Sequence, residues 1–185
     1  ITQICLVFYS FVDLRGFTLP IWVTASAKAA AKVLIDQSVS LTQTIELPND
    51  QKPVSVPIRS VAVLDQGSKG LAICNCDPGE GLDLTRDLEI WTLIEFVENL
   101  ETDCLDVSVA SADTWLEIVA GEGVGKLAST NEISISQFAR ELLLLNLHPL
   151  RRKGCSLKLE IVFPTGCELA KRTSNYAFGV VDGLA

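Results

Sequence analysis

An α+β fold, with helices packed on a largely antiparallel or mixed sheet, is what this sequence predicts. Three observations carry that reading. Extended runs follow one another at hairpin spacing between residues 42 and 76. Only two segments show a long helical pattern, at 20–35 and after residue 134. Strands and helices do not alternate in the manner that a parallel, doubly wound sheet requires.

The first helix is expected over 20–35. Thr18 stands at the N-cap position and Pro20 near the first turn, where its missing N–H costs nothing. Ala25, Ala27, Ala29, Ala30 and Ala31 favour the helix by propensity. Val23, Ala27, Ala30 and Leu34 share one face, which is expected to lie on the sheet. Strands are expected over 42–47, 54–59, 61–66 and 71–76. Pro48-Asn49-Asp50 and Gly67-Ser68-Lys69-Gly70 supply the turn chemistry between them. The strands near Val54 and Leu71 are expected in one sheet. A loop at 77–87 precedes a long strand at 89–98, and 99–113 reads as acidic and exposed. A strand at 115–119 runs into Gly121-Glu122-Gly123-Val124-Gly125. Ser134 with Gln137 resembles a capping box opening the second helix, with Ile135, Phe138, Leu142 and Leu145 as its apolar stripe. A strand at 156–163 and a short helix at 165–171 complete the pattern.

Composition narrows the function. The 185 residues carry a formal net charge of -8 and a pI of about 4.6, which argues against nucleic acid and anionic membranes as partners. The cations gather late: Arg151, Arg152, Lys153, Lys158, Lys171 and Arg172 face only Glu160 and Glu168 in the stretch 150–172. An acidic small molecule would find its counter-charges there. Six cysteines form no Cys-x-x-Cys pair, and His148 is the only histidine, so no protein-bound metal is expected. Cys74 and Cys76 fall on one strand face and read as small core residues of a reduced, cytoplasmic protein. The apolar stretch 1–12 is too short to span a bilayer and lacks a signal-peptide pattern. The chain contains no Met, even at position 1, so it is expected to lack its natural start.

Three segments offer candidate chemistry. The glycines at 121, 123 and 125 could let the backbone approach a ligand and aim N–H groups at it, with Glu122 beside them. A dinucleotide-binding enzyme using this loop is one alternative, although it would need a helix directly after Gly125. Asp77-Pro78-Gly79-Glu80-Gly81-Leu82-Asp83-Leu84-Thr85 is an unusual acidic loop without EF-hand spacing. Lys171-Arg172-Thr173-Ser174-Asn175 joins two cations to hydrogen-bonding side chains, a set suited to carboxylates.

Four segments, in this order, make the chain resemble the CbiD family. They are Gly16-Phe17-Thr18-Leu19-Pro20 with the alanine run after it, the loop from Asp77 to Thr85 closing on Glu89-Ile90, the Gly121–Gly125 run, and Pro164-Thr165-Gly166-Cys167-Glu168-Leu169-Ala170-Lys171-Arg172-Thr173-Ser174-Asn175 followed by Gly179-Val180-Val181-Asp182-Gly183. Phe17, Leu19 and Pro20 depart from the family's common Gly-Tyr-Thr-Thr-Gly-Thr-Cys. Ala120 replaces a common glycine, and an Asn-Pro pair usual before the second long helix is absent.

The resemblance implies a cobalt-precorrin-5B C1-methyltransferase of cobalamin biosynthesis. Its methyl donor would be S-adenosylmethionine, and its metal would belong to the substrate. It further implies a CbiD-like α+β domain at 16–185, an extension at 1–15 without assigned role, and a second, α/β part not contained in this chain. The candidate binding residues are Thr18, Asp83, Thr85, Gly121, Glu122, Gly123, Gly125, Lys171, Arg172 and Thr173. A non-catalytic tetrapyrrole-binding module is the other alternative.

Overall fold

The structure is a computed structural model, and it describes residues 16–49, 51–98, 115–173 and 179–185. The extension expected at 1–15 and the acidic stretch at 99–113 lie outside the described residues.

Helix α1 (Leu19–Asp36) begins after Thr18, which is extended and occupies the N-cap position without a side-chain cap bond. The helix ends at Gln37, whose left-handed backbone returns an N–H to the Val33 carbonyl. Strands β1 (Thr42–Ile45) and β2 (Val54–Pro57) form a separate antiparallel ribbon. Strands β3 (Ser60–Leu64), β4 (Lys69–Asn75), β5 (Glu89–Glu98), β6 (Leu116–Ala120) and β9 (Cys155–Val162) make the main sheet, in the order β3-β4-β5-β9-β6. Every pairing in it is antiparallel except β6 with β9, so the sheet is mixed. The expectation of one sheet containing both the Val54 and Leu71 strands is corrected. β2 pairs with β1 alone, and the bend at 58–59 carries the chain from the ribbon into the sheet.

One row of α1 meets β4 in register. The Trp22 carbonyl accepts from the Cys74 thiol at 3.5 Å, the Ser26 hydroxyl donates to the Ala72 carbonyl at 3.0 Å, and the Ala30 carbonyl lies against Gly70. Four helical residues rise about 6 Å, and two strand residues about 6.7 Å, so steps of four on the helix match steps of two on the strand. Thr92 of β5 donates to the Ser26 hydroxyl at 2.8 Å and completes a buried polar chain between helix and sheet. The sheet-facing row thus includes Trp22 and Ser26 together with Ala30 and Leu34 of the expected face. Val23 and Ala27 are buried as well, because α1 is covered on its other side by α2 and the β1–β2 ribbon.

Helix α2 (Gln137–Leu147) starts two residues later than Ser134 suggests. Ser136 is its N-cap and accepts from the Ala139 N–H at 3.2 Å; the Ser134 N–H is already engaged by the Gly125 carbonyl. The buried face is Ala139, Leu142, Leu143, Asn146 and Leu147, while Phe138 and Leu145 are exposed. Asn146 binds both the N–H and the carbonyl of Glu46, and Lys28 donates to the Thr44 carbonyl at 2.7 Å. These bonds tie both helices to the ribbon. Short strands β7 (Gly123–Val124) and β8 (Lys126–Leu127) pair with the late strands β11 (Gly183–Leu184) and β10 (Val180–Val181) respectively, beside helix α3 (Gly166–Thr173).

Cys74 and Cys76 are both buried. Burial pushes the Cys74 thiol up to about 12, against a smaller opposing effect of its Ser26 contact. In the native protein Cys74 and Cys76 are expected to resist an aromatic disulfide reagent at pH 8, while the partly exposed Cys155 and Cys167 react. Peptide mapping of the labelled sites checks this, and equal labelling of Cys74 would contradict its burial. A raised thiol pKa means that the unfolded chain loses the proton first. Its contribution therefore lowers stability as pH rises from the unfolded value, about 8.5, towards 12.

Candidate functional site

The glycine run forms a corner in which three chain segments cross. Gly121 donates to the Ile161 carbonyl at 2.8 Å, the Glu122 carbonyl accepts from the Phe163 N–H at 2.9 Å, and Gly125 donates to the Leu184 carbonyl at 2.7 Å. Gly123 has φ +71°, and a Cβ there would overlap the Phe163 carbonyl oxygen. Gly166 and Gly183 pack against the Gly123 carbonyl so closely that neither could carry a Cβ without displacement. The Gly121 and Gly125 N–H groups are thus spent on backbone partners. The glycines therefore have a packing reason of their own, a tight corner between chain segments. After Gly125 the chain continues into β8, not a helix, which leaves the dinucleotide-binding alternative without its required geometry.

The loop at 77–87 is braced from within. Asp83 accepts from the Thr85 N–H at 2.8 Å and from its hydroxyl at 2.7 Å, and these bonds hold the Asp83 carboxyl below the usual range. Arg86 donates to the Asp77 carboxylate at 3.4 Å and to the Gly79 carbonyl. Phe17 donates to the Asp77 carbonyl at 3.2 Å, which brings Thr18 and the start of α1 to the foot of the loop.

Across from this loop stands the C-terminal end of α3. Arg172 and Thr173 share an open cleft of about 650 Å³ with Leu82, Asp83, Leu84 and Thr85. Arg172 also borders a smaller hollow of about 150 Å³ with Arg86, Thr165 and Glu168. Of the sequence-predicted residues, Asp83, Thr85, Arg172 and Thr173 come together here. Lys171 is exposed on the same last turn of α3, and Ser174 and Asn175 lie outside the described residues. Gly121, Glu122, Gly123 and Gly125 lie instead towards the N-terminal end of that helix, where Gly123 meets Gly166. Sequence reading passed over Arg86 and Leu82. Leu82 is fully exposed at the loop tip, a placement without any sequence signal.

A third cavity, about 410 Å³, opens near Val124, between the first turn of α1, residues 133–136 and β11. Among the described residues no group of three or more His, Cys, Asp and Glu could hold a metal ion. No described helix is long and apolar enough to cross a membrane.

Known proteins share this chain and this fold. The CbiD family matches residues 11–185. A cobalt-precorrin-5B C(1)-methyltransferase of Prochlorococcus marinus is 57% identical over 175 residues, covering 93% of this chain and 45% of that protein. One from a Synechococcus species, with the same description, is 46% identical and is matched over 92% of this chain and 43% of its own length. The crystal structure of a cobalamin biosynthesis protein (cbiD) from Archaeoglobus fulgidus shares the fold, with a TM-score of 0.66 at 22% identity over 92% of this chain and 51% of that one. The chain therefore spans about half the length of the relatives it matches. With the α+β fold, the four ordered motifs and this match over nearly its whole length, the chain belongs to the CbiD family.

Proposed function

We propose that this chain is the α+β part, at 16–185, of an enzyme that methylates cobalt-precorrin-5B at C1 to give cobalt-precorrin-6A, in the cytoplasm. A further α/β part, as long again, would complete it, in keeping with the length of its relatives. The observation that carries the reading is the cleft at Arg172. A tetrapyrrole has broad apolar faces and a rim of carboxylates. Leu82 and Leu84 offer exposed apolar surface, Arg172 offers a guanidinium that can grip a carboxylate with two hydrogen bonds, and Thr173 adds a hydroxyl. Lys171 adds positive charge nearby. The Thr85 bonds turn the Asp83 carboxylate into its own loop, and Arg86, paired with Asp77, offsets part of that loop's acidity.

S-adenosylmethionine supplies an activated methyl group when bound. The protein's own task is to hold donor and acceptor in line, which is orientation rather than acid–base work. Asp83, kept in its charged form by the Thr85 bonds, is a poor proton donor, which agrees with that division of labour. The third cavity, none of whose lining side chains is charged, fits the neutral portion of the donor by volume and lining.

Arg172→Ala is expected to raise KM for cobalt-precorrin-5B about tenfold with kcat little changed, because an anchoring contact is made equally in ground and transition states. Steady-state methylation assays decide it. An unchanged KM would remove Arg172 from the site. Tetrapyrrole binding without any methyl transfer would favour the binding-module alternative.

A further inference from the structure

The cavity of about 410 Å³ has the size of a small-molecule site, within the usual ~300–1,000 Å³. Its walls come from elements far apart in sequence: Val23 of α1, Leu143 of α2, Ile161 and Phe163 at the end of β9, and Leu184 of β11. No lining side chain is charged. An apolar wall strongly disfavours a carboxylate, whose desolvation nothing there would offset. The substrate's carboxylates therefore belong to the Arg172 cleft and not to this cavity.

The polar groups present are few and held in place. Ser134 and Ser136 stand on the lining. The Ser134 N–H is tied to the Gly125 carbonyl at 2.8 Å, which fixes the segment. The Ser136 oxygen accepts from the Ala139 N–H, so its own proton can point elsewhere. Such a lining suits a flat, uncharged ring system with acceptor atoms on its edge: apolar faces against Val23, Leu143 and Phe163, ring nitrogens towards hydroxyl protons.

S-adenosylmethionine contains that kind of group in its adenosyl half, while its charge sits on the sulfonium and the amino-acid tail. The location supports the match. Phe163 lines this cavity, and Thr165, two residues on, lines the hollow that Arg172 borders. The turn between them is closed by the Gly166 N–H bonding to the Phe163 carbonyl at 2.8 Å and is clamped by Gly123. The cavity and the hollow beside the carboxylate cleft thus flank one rigid turn, with Arg172 shared by hollow and cleft. We infer that this cavity binds the adenosyl half of the methyl donor, with the Ser134 and Ser136 hydroxyls reading the edge of the purine. The inference rests on the methyltransferase reading above.

Calorimetric titration of the full-length enzyme with S-adenosylhomocysteine, and separately with adenosine, tests it. Ala139 faces the cavity from α2, and Ala139→Trp would fill the space with an indole. Affinity for both compounds is expected to fall at least about tenfold, with the unfolding midpoint preserved. Arg172→Ala should leave both affinities unchanged. Should Ala139→Trp fail to fold, Ser134→Ala serves instead, with an expected loss of about threefold to tenfold for one hydrogen bond. Normal binding by a folded Ala139→Trp or by Ser134→Ala, with methyl transfer intact, overturns the site and spares the enzyme assignment. A full-length enzyme that neither binds S-adenosylhomocysteine nor transfers methyl overturns both.

Discussion

Gly123→Val is expected to unfold the corner at β7 and to lower stability by at least about 4 kcal/mol, out of a total of about 5–15 kcal/mol for a domain of this kind. Two costs add. A β-branched residue at φ +71° is strained by roughly 1–3 kcal/mol. The added Cβ would also overlap the Phe163 carbonyl oxygen, so β7 must move away from the 163–166 turn. That movement breaks the Phe163-to-Glu122 and Gly125-to-Leu184 hydrogen bonds. Gly154→Ala separates the two causes, since Gly154 has φ +77° with open space around it. It should cost only about 1 kcal/mol. Chemical denaturation of both variants measures the difference. Similar small losses would show that the corner yields easily. With the large loss expected, lost turnover in Gly123→Val reflects a lost fold rather than a lost ligand contact, unlike the effect expected of Arg172→Ala.

Gly70→Val should cost about 3 kcal/mol, for a different reason. Its backbone φ needs no glycine. The constraint is the Ala30 carbonyl, which a Cβ would overlap, with the Leu34 side chain at 3.1 Å. The whole C-terminal half of α1 would have to lift from β4, opening space beside Ala72 and weakening the Ser26–Ala72 and Ser26–Thr92 bonds. Gly70→Ala should cost nearly as much as Gly70→Val, because the first added carbon already makes the clash. Thermal unfolding of the pair tests this. A mild alanine variant and a severe valine variant would place the obstruction further from the backbone.

Much of the fold could be read locally. The run of β-branched and aromatic residues Ile90, Trp91, Thr92, Ile94, Phe96 and Val97 marks β5, although the residue types do not show that Ile90, Thr92 and Ile94 form its buried face. Pro20 and the alanine run mark α1 for equally local reasons. The start of α2 is harder to read, since Ser134 and Ser136 both precede it and the contacts that decide, Ser136 capping Ala139 and Ser134 tied to Gly125, are tertiary or one turn long. Its buried face was also obscured, because Leu142-Leu143-Leu144-Leu145 has no periodicity to read. At the candidate site, charge singled out Arg172, whereas the glycine run signalled tightness without saying whether a ligand or the chain itself comes close. The third cavity had no sequence trace, being assembled from residues spread between Leu19 and Ala185.

The place of β9 in the sheet constrains how the chain can reach this structure. β9 lies between β5 and β6, yet both are synthesised before it. Until residues 155–162 leave the ribosome, β5 presents one side of a ten-residue strand with no neighbour to pair with. β6 has no place in the sheet at all during that interval. Such a bare edge is a template for pairing with another chain, and closing it late demands contacts between distant parts of the sequence. The last strand of the sheet to be made is the one that joins its two sides, so the nascent chain depends on delay, dilution or a chaperone until it arrives.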